Sequence, residues 1–324
     1  MRNQLDKYVG IYQLLWYKTK LLSMPRFLIR RKASQKIPKW LSAPYTDRNI
    51  LKASEYLGER GINKSVIVSL TSFPARINEV WQVIECMKRQ SIKPDKIFLW
   101  LSRKQFPEQE IPVNLSALID DTFEVVFVDD DYKSHKKYYY AFSQFPNDLI
   151  VLLDDDIYYP TNTIELFIRE YLLKPNCIYV RYGCEMKFDK KGKLLPYNDW
   201  WHENTNRVES YSFFFGSGGG TMVCPSLLNE DVLNIKVAMD IAPSADDVWL
   251  NAMALLSHML KIKIQFGIFL PVAIKNNEEL YVSNVFDGQN DLQIKKVQDY
   301  CYNKYQVDVF SLGYLQSIDD KIKK

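Results

Sequence analysis

Three aspartates in a row, Asp154, Asp155 and Asp156, close the apolar run Leu149, Ile150, Val151, Leu152 and Leu153, and Ile157, Tyr158, Tyr159 and Pro160 follow. Carboxylates packed this densely repel one another, and a bound cation is the ordinary way to keep them together. Oxygen ligands favour Mg2+ or Mn2+ over zinc. Asp154 and Asp156, at i and i+2, can face one ion, which can bridge a diphosphate and neutralise charge on a departing group. The competing reading is an acidic turn with solvated side chains. Position weighs for the first. Five consecutive apolar residues suit a strand buried in a parallel sheet, and open α/β sheets bind ligands beyond the carboxyl ends of their strands.

Other groups gather around this feature in the sequence. Lys136 and Lys137 lie some twenty residues upstream, at the start of the helix expected to feed the strand. An ammonium there can reach a diphosphate, although a solvated surface pair fits the letters equally well. Asp246 and Asp247 open a later helix, either as dipole-complementing residues or with one of them as a general base for a hydroxyl. Gly216, Gly218, Gly219 and Gly220 permit close backbone approach to a ligand, or a bare structural turn. They do not form a GxGxxG motif, and no GxxxxGK[ST] exists, so the dinucleotide and P-loop readings fall away. His135, His202 and His258 make no HExxH pattern, and no GxSxG elbow is present, which disfavours zinc and serine hydrolases. Five scattered cysteines without a CxxC pair point to a reducing compartment.

The elements that must position these groups alternate. Strands are expected over 66–70, 97–101, 123–128 and 149–153, with helices over 77–90, 113–119 and 136–145 between them. This rhythm implies a mostly parallel central sheet flanked by helices, an α/β fold. Beyond it come a helix over 163–173, a strand over 177–181, a polar and aromatic loop over 188–206 holding Trp200, Trp201 and His202, and a helix from Pro243 to about Leu260 with Ser244 as its N-cap. The tail from Gln289 reads as helical. At 324 residues the chain can bury a large core.

Charge is unevenly spread. Residues 1–40 hold ten Lys/Arg against one acid, Asp6, a net +9, which leaves −6 for the rest of a chain whose total is +3. The aromatic, basic segment is too short to span a bilayer, and it lacks a small-residue cleavage site. It fits an interfacial helix on an anionic membrane, each basic residue adding about 1 kcal/mol; the alternative is a helix packed on the body or a partner-binding arm. The expected organisation is an arm over 1–62, a catalytic domain over 63–275 divided at 160, and a helical extension over 276–324.

Taken together, SLTSFPARI, KKYYYA, DDDIYYP, GSGGG and ADDVW, in this order over about residues 64–275, resemble bacterial glycosyltransferases of surface-polysaccharide loci (capsule, lipopolysaccharide or exopolysaccharide) with the GT-A, Rossmann-like fold. The resemblance implies that Thr71, Arg76, Lys136 or Lys137, Asp154 and Asp155 contact the nucleotide. It also implies that Asp154 and Asp156 hold Mn2+ or Mg2+, and that Asp247, preferred over Asp246, is the base of an inverting enzyme. A nucleotide-sugar donor follows, UDP being the commonest partner of a metal-dependent DxD, with a glycan or lipid-linked acceptor stacked on Trp200, Trp201 or nearby tyrosines. The expected place is the cytoplasm, peripheral on the inner face of the cell membrane, with no nucleic-acid partner. Where many relatives end the second strand with an aspartate, this chain has Leu101 followed by Ser102. A non-catalytic glycan- or membrane-binding protein is the alternative from another class. A sugar-phosphate nucleotidyltransferase would want a glycine-rich loop after the first strand, where residues 71–76 have none.

Overall fold

The structure is a computed structural model, and it describes residues 36–43, 50–200, 206–265, 270–271 and 288–322. The basic segment 1–35, and with it the membrane-contact expectation, lies outside the described residues, as do Trp201 and His202.

The first half alternates as expected: α1 (Ala53–Gly58), β1 (Val66–Thr71), α2 (Trp81–Lys88), β2 (Lys96–Ser102), α3 (Val113–Ser116), β3 (Phe123–Val128), α4 (Lys136–Gln144) and β4 (Leu149–Leu152). The second half runs β5 (Ile157–Tyr158), α5 (Thr163–Leu173), β6 (Ile178–Val180), β7 (Gly183–Glu185), β8 (Val208–Ser210), β9 (Phe213–Phe215), β10 (Thr221–Val223), α6 (Ile235–Ile241), α7 (Asp246–Leu256), β11 (Lys261–Lys263), β12 (Leu270–Pro271), α8 (Gln289–Tyr305) and α9 (Leu312–Ile322). Eight strands form one sheet in the order β3-β2-β1-β4-β10-β6-β11-β8. Strands β1 to β4 are mutually parallel, β10 enters antiparallel between β4 and β6, β11 runs parallel to β6, and β8 closes the edge antiparallel. This is an α/β fold on a mostly parallel sheet.

The unbroken apolar runs are explained by burial on both faces. Val66, Val68 and Leu70 of β1 point into one core with Leu149, Val151, α2 and α5; Ile67, Ile150 and Leu152 point into a second core with α4, α7 and α8. Ser69 is the buried polar residue of β1. Its hydroxyl donates to the carbonyl of Lys137 and accepts the Trp100 indole N–H at 2.8 Å, which ties the first turn of α4 to the sheet. Helix α8 is latched by Asp231, which accepts from Tyr300, Tyr305 and Lys304 at 2.5–2.7 Å.

Several boundaries differ from the sequence reading. Residues 74–80 form turns, so the helix expected from Ile77 begins at Trp81, and the helix expected over 113–119 is one turn. The N-cap position of α7 falls on Ala245, with no side-chain cap; the Ser244 N–H instead meets Gln293 of α8 at 3.0 Å. Tertiary contact has replaced the local cap. Among the described residues no helix is long and apolar enough to cross a membrane.

Asn251 of α7 acts as a short strand substitute for β9. Its amide accepts the Phe215 N–H at 3.2 Å and donates to the Phe215 carbonyl at 2.8 Å, all of it buried. Asn251→Leu leaves both backbone groups unpaired, each costing about 1–3 kcal/mol. A lowered urea midpoint with an unchanged slope is the expected outcome.

Candidate active site

The chain leaves the sheet after β4 and places its three aspartates at the carboxyl edge of the parallel strands. Pairing of Thr221 with Leu152 lays the glycine turn over them. The Asp154 N–H donates to the Gly218 carbonyl at 2.8 Å and to the Tyr159 hydroxyl at 2.9 Å, and that hydroxyl donates to the same carbonyl at 2.6 Å. A Cβ on Gly218 would lie 1.7 Å from Asp154 Oδ1, so only glycine fits there. Gly220, at φ +107°, backs onto Arg181, whose guanidinium stands 5.1 Å over the Tyr159 ring.

The three carboxylates have different surroundings. Asp155 is buried and accepts from the Ser72 hydroxyl at 2.5 Å and from Arg76 Nη1 at 2.9 Å. The same Nη1 lies 2.8 Å from Asp156 Oδ2. Burial, then the charges of Asp154 and Asp155, push the Asp156 carboxyl up to about 7 in spite of Arg76 and Lys137. Asp154 pairs with Lys137 Nζ at 3.0 Å.

Lys137 is the centre of the site. Its ammonium is buried, 3.0 Å from Asp154 and 3.1 Å from Asp246 Oδ2 of α7. Burial opposes its charge, but Asp154, Asp246 and Asp247 outweigh burial and raise its pKa. Asp246 also accepts from the Ser217 hydroxyl at 2.6 Å. Burial alone would raise this carboxyl; Lys137 overrides it and holds the group down at about 2. Its neighbour Asp247 is half-buried and accepts the Ser217 N–H at 2.6 Å. Burial and the adjacent Asp246 charge push Asp247 up to about 7. One serine of the glycine turn thus holds both acids, by hydroxyl and by backbone.

The structure brings together Arg76, Lys137, Asp154, Asp155, Asp156, Asp246 and Asp247. It turns Lys136 elsewhere, toward Asp131 and Gln105. Thr71 ends β1, its hydroxyl donating to the Trp100 carbonyl at 2.7 Å. His135 is buried and reaches no solvent-facing site. Its Nε2 lies 2.7 Å from the Ala242 carbonyl and its Nδ1 3.1 Å from the Tyr138 hydroxyl, so Nε2 carries the proton and fixes the approach to α7. Trp200, expected as a stacking surface, is fully buried, with its indole N–H on the Leu195 carbonyl at 2.7 Å. Its ring packs on Tyr197 and Phe214, and this apolar pocket is why it is not presented to a ligand. Ser72, Ser217 and Tyr159 were missed. Each lies inside one of the motifs SLTSFPARI, GSGGG and DDDIYYP, but a hydroxyl's partner across the fold leaves no local signal.

The residues fit a hard divalent cation. Asp154 and Asp156 keep 40% and 29% of their side chains in solvent, whereas Asp155 is fully engaged. Mg2+ and Mn2+ sites of this kind hold one or two carboxylates and complete the shell with water and phosphate oxygens. Among the described residues no cluster of three His, Cys, Asp or Glu is arranged as a metal cage.

No protein-family model matches the chain, and no curated protein matches its sequence. Similar solved structures include the mannosyltransferase PcManGT from Pyrobaculum calidifontis in complex with GDP-Man and Mn2+, at 10% identity and a TM-score of 0.44, covering 92% of this chain and 76% of that one. HddC from Yersinia pseudotuberculosis complexed with GMP-PN gives 10% identity and 0.33 over 50% of this chain and 78% of the other. An apo UDP-glucose pyrophosphorylase gives 9% identity and 0.37 over 74% and 99%. Likenesses this remote carry no functional argument, which rests on the site itself.

Two outcomes follow from the geometry. Lys137→Met strips Asp246 of its buried counter-ion, a change costing about 3–5 kcal/mol in such pairs, and Asp246→Asn in the same chain recovers part of the loss in a double-mutant cycle. Asp247 has its folded pKa raised from 3.8 to about 7, so its contribution is fully present below about pH 4 and is lost as pH rises through 7. Asp247→Asn is therefore more heat-stable than the parent at pH 8, and the gap closes by pH 4 in a thermal scan.

Proposed function

We propose that this chain is a metal-dependent glycosyltransferase that moves a sugar from a nucleotide-sugar donor to a hydroxyl acceptor. The observation carrying this reading is the single ammonium of Lys137 between Asp154 and Asp246. It joins a carboxylate set suited to a metal-bound diphosphate to an acid pair suited to proton removal.

Mn2+ or Mg2+, when bound by Asp154 and Asp156, supplies charge neutralisation for the diphosphate. The chain's own groups do the rest. Lys137, kept protonated by its acidic neighbours, offers positive charge toward the departing nucleoside diphosphate. Arg76 and Ser72 hold Asp155 in place beneath the site. Asp246 stays ionised and orients Lys137 and Ser217. Asp247, with a pKa raised to about 7 and a partly open carboxylate, takes the proton of the acceptor hydroxyl as it attacks the anomeric carbon. A base on the acceptor side suits inversion. A UDP-linked donor, a glycan or lipid-linked acceptor of a bacterial surface polysaccharide, and work at the inner face of the membrane complete the reading, on the strength of the motif resemblance.

Thermal stability against a panel of nucleoside diphosphates, with and without Mn2+, tests it. Ligand at a hundredfold excess over its Kd adds about 2.7 kcal/mol. A manganese-dependent rise with one nucleotide, lost in Asp156→Ala while the unliganded melting curve persists, is the expected result. Absence of a rise with every nucleotide sinks the donor assignment and leaves the non-catalytic binding protein in its place.

A further inference from the structure

We propose that the ring of Tyr182 is the platform on which the acceptor sugar stacks. The inference deepens the reading above and rests on it through the role of Asp247. Tyr182 stands at the corner where the chain leaves β6 for β7. The corner is fixed on both sides. The Tyr182 carbonyl accepts the Gly216 N–H at 3.1 Å, and the next residue, Gly183 at φ +152°, packs so closely that a Cβ there would lie 2.2 Å from the Phe214 carbonyl oxygen.

The ring itself lies against Gly216. A Cβ on that glycine would be 2.9 Å from Tyr182 Cδ1, 3.4 Å from Cε1 and 3.9 Å from Asp247 Oδ2. One missing side chain therefore marks a point that the aromatic ring and the proposed base both reach. Tyr182 remains 37% exposed, whereas Phe213, Phe214 and Phe215 of the neighbouring strand β9 are buried. A scattered exposed aromatic needs no explanation, but one whose backbone is pinned and which borders a carboxylate with a raised pKa is preorganised for contact. Tyrosine offers a large flat area at small entropic cost, together with a hydroxyl for a polar neighbour. The C–H face of a pyranose matches that surface.

The donor is separated from the platform along the glycine turn. Gly218 is the residue that accommodates Asp154, and Gly216 the one that accommodates Tyr182 and Asp247. The diphosphate side belongs to the former and the hydroxyl nucleophile to the latter. Tyr182 would thus hold the acceptor ring with one hydroxyl directed at Asp247.

Saturation-transfer NMR with a set of methyl pyranosides, in the presence of a nucleoside diphosphate and Mn2+, reads this directly. Expected are ring-proton signals for at least one pyranoside in the parent chain, retained in Tyr182→Phe and about tenfold weaker binding in Tyr182→Ala. The nucleotide-induced thermal shift should be the same in all three chains, which also shows that the variants fold. Full pyranoside binding by Tyr182→Ala overturns the proposal, as does a parent chain that binds no pyranoside while its nucleotide shift is intact. Pyranoside binding that depends on Tyr182, in a parent chain with no nucleotide shift, supports the platform and overturns the donor assignment instead.

Discussion

The structure depends on one buried ammonium. Lys137 stands between Asp154, at the end of a parallel strand, and Asp246, at the start of a helix more than ninety residues later in the chain. Removing a charge from water is costly unless opposite charges and hydrogen bonds surround it, and here two carboxylates do. The two halves of the sheet are held in register around that point. Ser69 fastens the Lys137 backbone to β1, and Ser217 fastens Asp246 to the glycine turn. Neither half can shift without uncovering a charge.

Around this centre the charges are unequal by design of the packing. Five carboxylates share two cations, Arg76 and Lys137. Asp246, paired with Lys137 and hydrogen-bonded to Ser217, is held down at about 2, while Asp156 and Asp247 are pushed to about 7. The group that must stay ionised to hold the lysine is the buried one, and the groups suited to exchange a proton or a cation lie nearer solvent. Separation of acids by environment in this way is how one fold gives several aspartates different roles.

The parallel half of the fold was legible because its strands are buried on both faces and its helices carry a regular apolar stripe. The same signal placed Asp154 to Asp156 at the carboxyl edge. Lys137 and Asp247 were candidates as members of pairs, but the sequence could not choose between Lys136 and Lys137. Adjacent helical residues point in different directions, and only the packed fold shows which one faces β4. The start of α7 was misread for a related reason. A serine in the right place suggests a cap, yet Gln293 from a distant helix takes its backbone N–H. Trp200 misled because an aromatic in a polar loop looks like a ligand surface until its own pocket is seen.

The turn at 216–220 has a consequence for descent. Its alternate glycines face three different partners: Tyr182 and Asp247 at Gly216, Asp154 at Gly218, Arg181 at Gly220. Any side chain at these positions meets one of them at under 3 Å, so the three sites cannot drift independently of the groups they accommodate. Chains that keep this cleft should still carry glycine at every second place there. That spacing, read together with the aspartates at the end of β4, is a signature that outlasts overall similarity and by which distant kin can be sought.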